Sequence, residues 1–599
     1  MKRYPSLIAA SLMLVALAPL QTRAADNTWK NGTGNFTWDM VSTNWTLPSI
    51  WSDGDNALFG PTGVGTVTLG GPITVGNQTF NAAGYTIAGA GNTLTLAGTT
   101  PTITVNANST NAASLNGTNG LTIQGTGFLV LEGDTGAANS YTGGTYVRSG
   151  TLVLQAGSVN SSGTAYAVDS IEALDTGATL VIPGIFNGTA WASVRDQIAA
   201  MAPGSQLKMT GGTLDMYDEP KNQRIPVPDG TGLIYNTGTN VQAGLIMVAD
   251  GLNHTFSGVI ADGGPLVGDN VAGGSTPQGP GRQIGIVSFA GSKNGGGGLW
   301  TLSGSNTYSG STRIDQGASI KLVGNGTIGF PTATGSLTGP MRIYGSATDS
   351  TRGNLDLNGH NQTIALMQNG NADAKVFNSG VGTVSTLTFG YGNEQVIRTC
   401  SFQFMDNQGT GGVLALKKVA TGPAYIVPAT GVPATNCSQI LSGVNTYSGD
   451  TTVEGGHLVM SAASAVSSNS AFRIFTVAQG QCPDSSVSLV LNYDGTAPVR
   501  QLWINGVQQP NGAYGAGTPG IHPSSTGTIT VTGYAAPPTL GFSQSGGTLT
   551  FSWTGNFKLQ SQTNSLTGTW FDYPAGGTSP VVVTVDNTKG SVFFRLLGN

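Results

Sequence analysis

Asn445-Thr-Tyr447-Ser-Gly449-Asp-Thr-Thr-Val453-Glu-Gly-Gly456-His-Leu-Val-Met460 decides the fold, because two other stretches of the chain repeat it. They are Asn139-Ser-Tyr141-Thr-Gly143-Gly-Thr-Tyr-Val147-Arg-Ser-Gly150-Thr-Leu-Val-Leu154 and Asn306-Thr-Tyr308-Ser-Gly310-Ser-Thr-Arg-Ile314-Asp-Gln-Gly317. A β-branched residue falls six positions after each Tyr, and Gly falls nine after. Two copies then place apolar residues at eleven and thirteen; one extra residue in the middle copy hands those roles to Ile320 and Leu322. Each copy follows a strand ending in Gly: Phe128-Leu-Val-Leu-Glu-Gly133, Leu299-Trp-Thr-Leu-Ser-Gly304 and Ile440-Leu-Ser-Gly443. The unit reads strand, glycine turn, short strand, glycine turn, strand. Alternation within it sends one side-chain set inward and the other to solvent.

Degenerate relatives fill the intervals, among them Thr93-Leu-Thr-Leu-Ala-Gly98, Thr102-Ile-Thr-Val-Asn106, Gly212-Thr-Leu-Asp-Met-Tyr217 and Asn354-Leu-Asp-Leu-Asn358. Short strands with turn signals between them fit a sandwich, a propeller or a solenoid. Irregular spacing and the lack of a blade-length motif count against the propeller. Stacked coils explain the pattern physically, since backbone groups pair between coils while a narrow apolar interior runs along the axis. At roughly 20–25 residues per coil the chain makes about 20 coils and a rod on the order of 100 Å long. The expected fold is all-β: a long right-handed parallel β-solenoid (β-helix) with a small C-terminal β-sandwich-like module.

Composition agrees. Gly supplies 92 of 599 residues, and charged residues only 9%, against a typical ~25%. Thr, Ser, Asn and Gly replace the missing charge, which suits pleated surfaces and tight turns. Disorder is the competing reading of a Gly-rich polar chain, but 38% hydrophobic residues in short alternating runs can build a core. A net charge of −5 with no basic stripe argues against a nucleic-acid partner.

The ends differ from the middle. Lys2-Arg3, the apolar stretch 7–20 and Thr22-Arg23-Ala24 read as a signal peptide over 1–24, too short to span a membrane. No later stretch is apolar enough to be a transmembrane helix. Trp29, Trp38, Trp45 and Trp51 read as an N-terminal cap within 25–100, with sugar stacking as the alternative. The solenoid spans 101–536, with repeats at about 125–158, 297–325 and 438–464. Pro537-Pro538 links it to a compact module over 539–599 with its own aromatic core. Residues 263–285 read as a loop insertion. Trp191, Val194, Ile198 and Met201 share a helical face closed by Pro203-Gly204, which predicts one helix on the flank. Cys400, Cys437 and Cys482 are odd in number, so at least one thiol is unpaired, and their spacing matches no metal motif.

The three Asn-x-Tyr-[Ser/Thr]-Gly-x-Thr segments resemble the autotransporter-associated β-strand repeat of bacterial passenger-type surface proteins. The stretch 29–86, with Trp38-Asp39, Asn44-Trp45 and Ile73-Thr-Val-Gly-Asn-Gln-Thr-Phe80, looks like the usual start of such proteins, and 499–533 is similar to their terminal coils. The resemblance implies export to the cell surface or the extracellular space, with the periplasm as an alternative, and says nothing about catalysis. About sixty residues after Pro538 are too few for an outer-membrane barrel, a departure from a complete autotransporter.

The search for chemistry yields no catalytic constellation, cofactor motif or metal site. Asp53-Gly-Asp55-Asn56 reads as turn chemistry, lacking the spacing of a calcium loop. Asp215, Asp218 and Glu219 are the densest carboxylates and read as a solvated loop, with polysaccharide hydrolysis or a lyase calcium site as the alternative. His254, His360, His457 and His522 are dispersed, and His457 takes the place of Thr151, an outward position. Trp553, Trp570 and Phe571 read as core aromatics, with glycan binding as the alternative. The expectation is an exported monomer without enzymatic activity, structural or adhesive, whose ligand is a glycan or cell-envelope component. A polysaccharide-acting β-helix enzyme or a glycan-binding protein is the alternative.

Overall fold

The computed structural model describes residues 24–46, 48–133, 139–155, 167–186, 191–192, 197–198, 204–219, 224–264, 282–292, 298–315, 317–329, 341–344, 353–368, 370, 372–391, 397–407, 411–421, 438–477, 487–533, 539–563, 566–574, 576–586, 588 and 590–598. Thr, Val, Ile and Leu alternate in runs of three to five, and each run becomes a strand with an alternating burial pattern, as in Asn56–Phe59 and Thr93–Leu96. Pairing is almost entirely parallel and runs from one coil to the next. Asp26–Trp29 pairs with Asn56–Phe59, which pairs with Gln78–Phe80, which pairs with Thr102–Val105. Side chains at matched positions of these coils lie 21 and 25 residues apart, the expected coil length. Twenty-three strands join in one sheet and shorter parallel sheets carry the other faces, so the chain is a β-solenoid.

Inward side chains stack on their own kind. The rings of Phe59 and Phe80 lie 4.8 Å apart and nearly parallel (8°), the spacing of paired strands. One apolar core runs unbroken from Trp29 to Val531. Each buried Leu, Ile or Phe adds about 1.5–3 kcal/mol over its exposed state. At the N-terminal end Trp29, Trp38, Trp45 and Trp51 fill the last coil, with centroids 4.6–5.2 Å apart. All four are buried, so they do not form a sugar-stacking platform. At the other end of this core, Gly512–Tyr514 folds antiparallel onto Thr528–Val531, which pairs with the coil strand Thr496–Val499.

Two three-stranded antiparallel sheets follow. Phe551, Trp553, Leu559, Val581 and Val583 form a core separate from that of the coils, and the ring of Phe551 in one sheet lies 4.5 Å from Phe594 in the other.

The expected flank helix is corrected. Trp191–Ala192 is a strand antiparallel to Ile185–Phe186, and Ile198 bridges Val168 in parallel. Backbone pairing overrides the local period, because Ile185–Phe186 and Val168 offer partners that a solitary helix cannot match. Val194 and Met201 lie outside the described residues. So do the signal peptide through residue 23, Cys437, Cys482, Pro537-Pro538 and 265–281 of the loop insertion, whose far end already belongs to the strand Ile284–Ser292. Among the described residues there is no α-helix, only the 3-10 turn Ala463–Ala465, and no helix is long and apolar enough to cross a membrane.

Candidate functional site

The repeated asparagine lies between coils. Asn139 Oδ1 accepts the Leu115 N–H (2.8 Å) and its Nδ2 donates to the Ala167 carbonyl (2.7 Å). Asn306 ties Ile260 N–H (2.8 Å) to Thr327 O (2.6 Å), and Asn445 ties Phe404 N–H (3.0 Å) to Ala465 O (2.7 Å). A side-chain amide carries one acceptor and two donors, so it joins main chain in the coil before to main chain in the coil after. All three asparagines are buried, where an unpaired backbone group is expensive.

Tyr141, Tyr308 and Tyr447 point inward, fully buried, and each hydroxyl meets the Thr four residues on (Thr145, Thr312, Thr451) at 2.6 Å. Val147, Ile314 and Val453 fill the core beside them. The glycines serve the corners. A Cβ on Gly310 or Gly449 would run into the carbonyl oxygen of Ile284 or Leu414 in the neighbouring coil. Gly143, Gly150, Gly317 and Gly456 turn with φ of +88°, +72°, +84° and +65°, a region L side chains avoid.

Burial pushes the three phenols well above the ordinary tyrosine range, against a smaller opposing pull from the threonine hydroxyls. Folding therefore favours their neutral form. The stability this gives is complete below about pH 10, the free phenol value, and is lost as pH rises toward the folded values. A spectrophotometric titration of the native chain should leave at least these three phenols un-ionised near pH 11, about one unit above the free value, together with Tyr85 and Tyr493, which burial pushes up to about 12; simultaneous ionisation of all 16 tyrosines in a still-folded chain would contradict the buried geometry.

A second joint escaped the reading of the sequence. Asp215 accepts the Tyr217 N–H (3.1 Å) and, one coil on, the N–H (3.0 Å) and hydroxyl (2.5 Å) of Thr237. Asp356 does the same with Asn358 N–H (2.9 Å) and with Ser379 N–H and hydroxyl (3.0 and 2.6 Å). The shared signal was a strand ending Leu-Asp, with Thr or Ser about one coil later. The solvated loop expected at Asp215, Asp218 and Glu219 is thus corrected, for all three are buried. Asp218 accepts the N–H groups of Asn240 and Val241 (both 2.9 Å) and the Asn240 amide (2.6 Å). Carboxylates bonded in this way tie coils together.

The remaining candidates are placed as follows. Asp53 accepts Thr74 N–H and Trp51 Nε1–H, and Asn56 bridges Asp26 and Asn77 N–H, so these residues tie their turn to the neighbouring coils. Among the described residues no three His, Cys, Asp or Glu side chains gather as a metal requires. His457 is corrected: it alternates with inward Leu458, but adjacent coils cover it, its Nδ1 meets Ser488 Oγ at 2.6 Å, and its ring packs edge-on to His522 (5.4 Å). His254 stands between Asp250 (3.0 Å) and Asp229 (3.7 Å). The hollow beside it, of about 20 Å³, has room for about one water and is too small for a substrate, and the nearby Ser205 hydroxyl donates to Asp169 O. Cys400 is buried with a free thiol that burial pushes up, so it is unreactive. In the C-terminal unit Trp553 is core, Trp570 carries Arg595 over its ring (4.4 Å), and Phe571 faces solvent (65% exposed). A shallow groove of about 560 Å³ crosses the outer face past Asn253, Ser319, Lys321, Asn354, Asp356 and the half-exposed ring of Phe377.

A family model described as the passenger-associated-transport-repeat matches residues 121–154, 295–318 and 438–460, the segments that hold the three asparagine joints. The "Adhesin BmaC autotransporter" of Brucella suis biovar 1 (strain 1330) is 28% identical over 476 residues, covering 73% of this chain and 12% of that protein. The chain thus spans about an eighth of its relative's length. No solved structure matches. With its matched repeats set at equivalent corners of one parallel stack, the chain carries the passenger-associated-transport-repeat and is similar to autotransporter passengers, a likeness that supports export to the cell surface or the extracellular space.

Proposed function

We propose that the chain is a non-enzymatic adhesive or structural protein, monomeric, whose ligand is a glycan or another cell-envelope component. One observation carries this reading: within each repeat the constant Asn, Tyr and β-branched residues are buried inside the stack, while the outward position five after Tyr varies freely, as Tyr146, Arg313 and Thr452. The fifteen repeat positions then act as scaffold and specificity sits on the outer face. The relative named as an adhesin supports the same role, and the amides, hydroxyl and half-exposed ring of the groove suit a sugar. On this reading 25–100 holds the N-terminal cap and the first coils, 101–536 is the solenoid and 539–599 is a separate module.

The mature chain, presented to cells, a glycan panel and envelope fractions, should bind at least one of them saturably. It should release neither reducing ends nor unsaturated products from polysaccharides. Inertness toward all three would remove the adhesive role, and turnover of any polysaccharide would replace it with catalysis.

A further inference from the structure

The first coils bring no charge to their outer surface. No Asp, Glu, Lys, Arg or His occurs between Asp55 and Glu132, although charged residues make up 9% of the chain, and every residue from 48 to 133 is described. On one face of these coils Thr66–Leu69 pairs with Tyr85–Ala88, which pairs with Ser109–Asn111, which pairs with Phe128–Leu131, all in parallel. The register sets Thr66 beside Thr86, Thr86 beside Thr110 and Thr110 beside Val130, on rungs about 4.8 Å apart. These side chains alternate with buried Val67, Ile87, Asn111 and Leu131 and so point outward. Thr66 is exposed, Thr86 and Thr110 are half-exposed, and among the described residues their hydroxyls have no hydrogen-bond partner. Phe128, two residues before Val130 on the same side of its strand, is 39% exposed.

We propose that this face binds a neutral linear polysaccharide laid along the stack axis. The proposal rests on the surface-binding role above and adds to it the charge class of the ligand and a site apart from the groove. A surface without ions offers no ion pair to a polyanion or a polycation, whereas unused hydroxyls exchange hydrogen bonds with sugar hydroxyls, donating and accepting in turn. The spacing of the rungs is close to the length of one pyranose in an extended chain, so successive sugars meet successive threonines. The threonine methyls and the ring of Phe128 cover the apolar C–H faces of the sugar. A protein partner fits less well, because the centres of such interfaces are enriched in aromatic residues, Met and Arg, and here one ring stands among Thr, Val and Ala88.

The test uses the full mature chain against particles of cellulose, chitin and curdlan, with immobilised polygalacturonate as the anionic comparison, across a salt series. Binding is expected on at least one neutral polymer, and salt should not weaken it, since no ion pair takes part. Thr86→Lys with Thr110→Lys should weaken it by at least about tenfold, the loss of two hydrogen bonds and of the flat contact, and Phe128→Ala should weaken it as well. These positions face outward, and circular dichroism checks that each variant keeps its sheet. Thr452→Lys on the third repeat and Phe377→Ala in the groove should leave binding unchanged. No binding to any neutral polymer, binding lost at high salt, or binding untouched by the variants at Thr86, Thr110 and Phe128 would overturn the site; loss on Phe377→Ala alone would overturn it by placing the sugar in the groove. Wild-type chain that binds cells or polygalacturonate but no neutral polymer removes this proposal and leaves the adhesive role; failure to bind cells, envelope fractions or any glycan removes both.

Discussion

Replacing Asn445 by Ala should destabilise its coil by about 3 kcal/mol, because two buried backbone groups, Phe404 N–H and Ala465 O, lose their partner at once. Asn445→Asp should do at least as much harm. It keeps the acceptor for Phe404 but turns an oxygen toward the Ala465 carbonyl and buries a charge. Coils touch only their neighbours, so the damage should stay local. Hydrogen exchange should quicken at Phe404 and through about residues 400–470, while amides of the coils at 56–105 keep their protection. Uniform acceleration along the whole chain, or none anywhere, would show that the amide is not a joint.

Trp45→Ala should act at the other end with comparable force. The ring touches Trp29, Trp38, Trp51 and Phe59 at centroid distances of 4.6–5.9 Å, and deleting a large buried aromatic costs about 3–5 kcal/mol. Among the described residues no coil on the N-terminal side of these rings is present to refill the space. Denaturant titration followed by tryptophan fluorescence should gain an early transition for the first coils, with residues 438–474 still protected from exchange. A single concerted transition would mean that the stack unfolds as one body, with no capping role for these rings.

Legibility in the sequence followed distance along the chain. The Asn-x-Tyr-x-Gly unit, its Thr and its glycine corners were readable because all lie within a dozen residues, and the alternation of strands such as Thr93–Leu96 gave the inward face directly. The tryptophan cluster was readable as a group for the same reason, its four rings lying within 23 residues and packing together in the core. What failed depended on a partner one coil away. Asp215 and Asp218 looked solvated because Thr237 and Asn240 come 22 residues later. His457 looked exposed because Ser488 and His522 belong to coils the local alignment could not see. The flank helix failed because a four-residue period in a short stretch says nothing of the strand edge waiting beside it.

The asparagine joint has the same form on both of its sides, main chain above and main chain below, with no side chain of either neighbour involved. A coil gained by duplication or dropped by deletion would therefore meet the same socket it left. Overall length can drift over evolutionary time without redesign of the interior, and a lineage could lengthen its reach from the cell simply by copying one module.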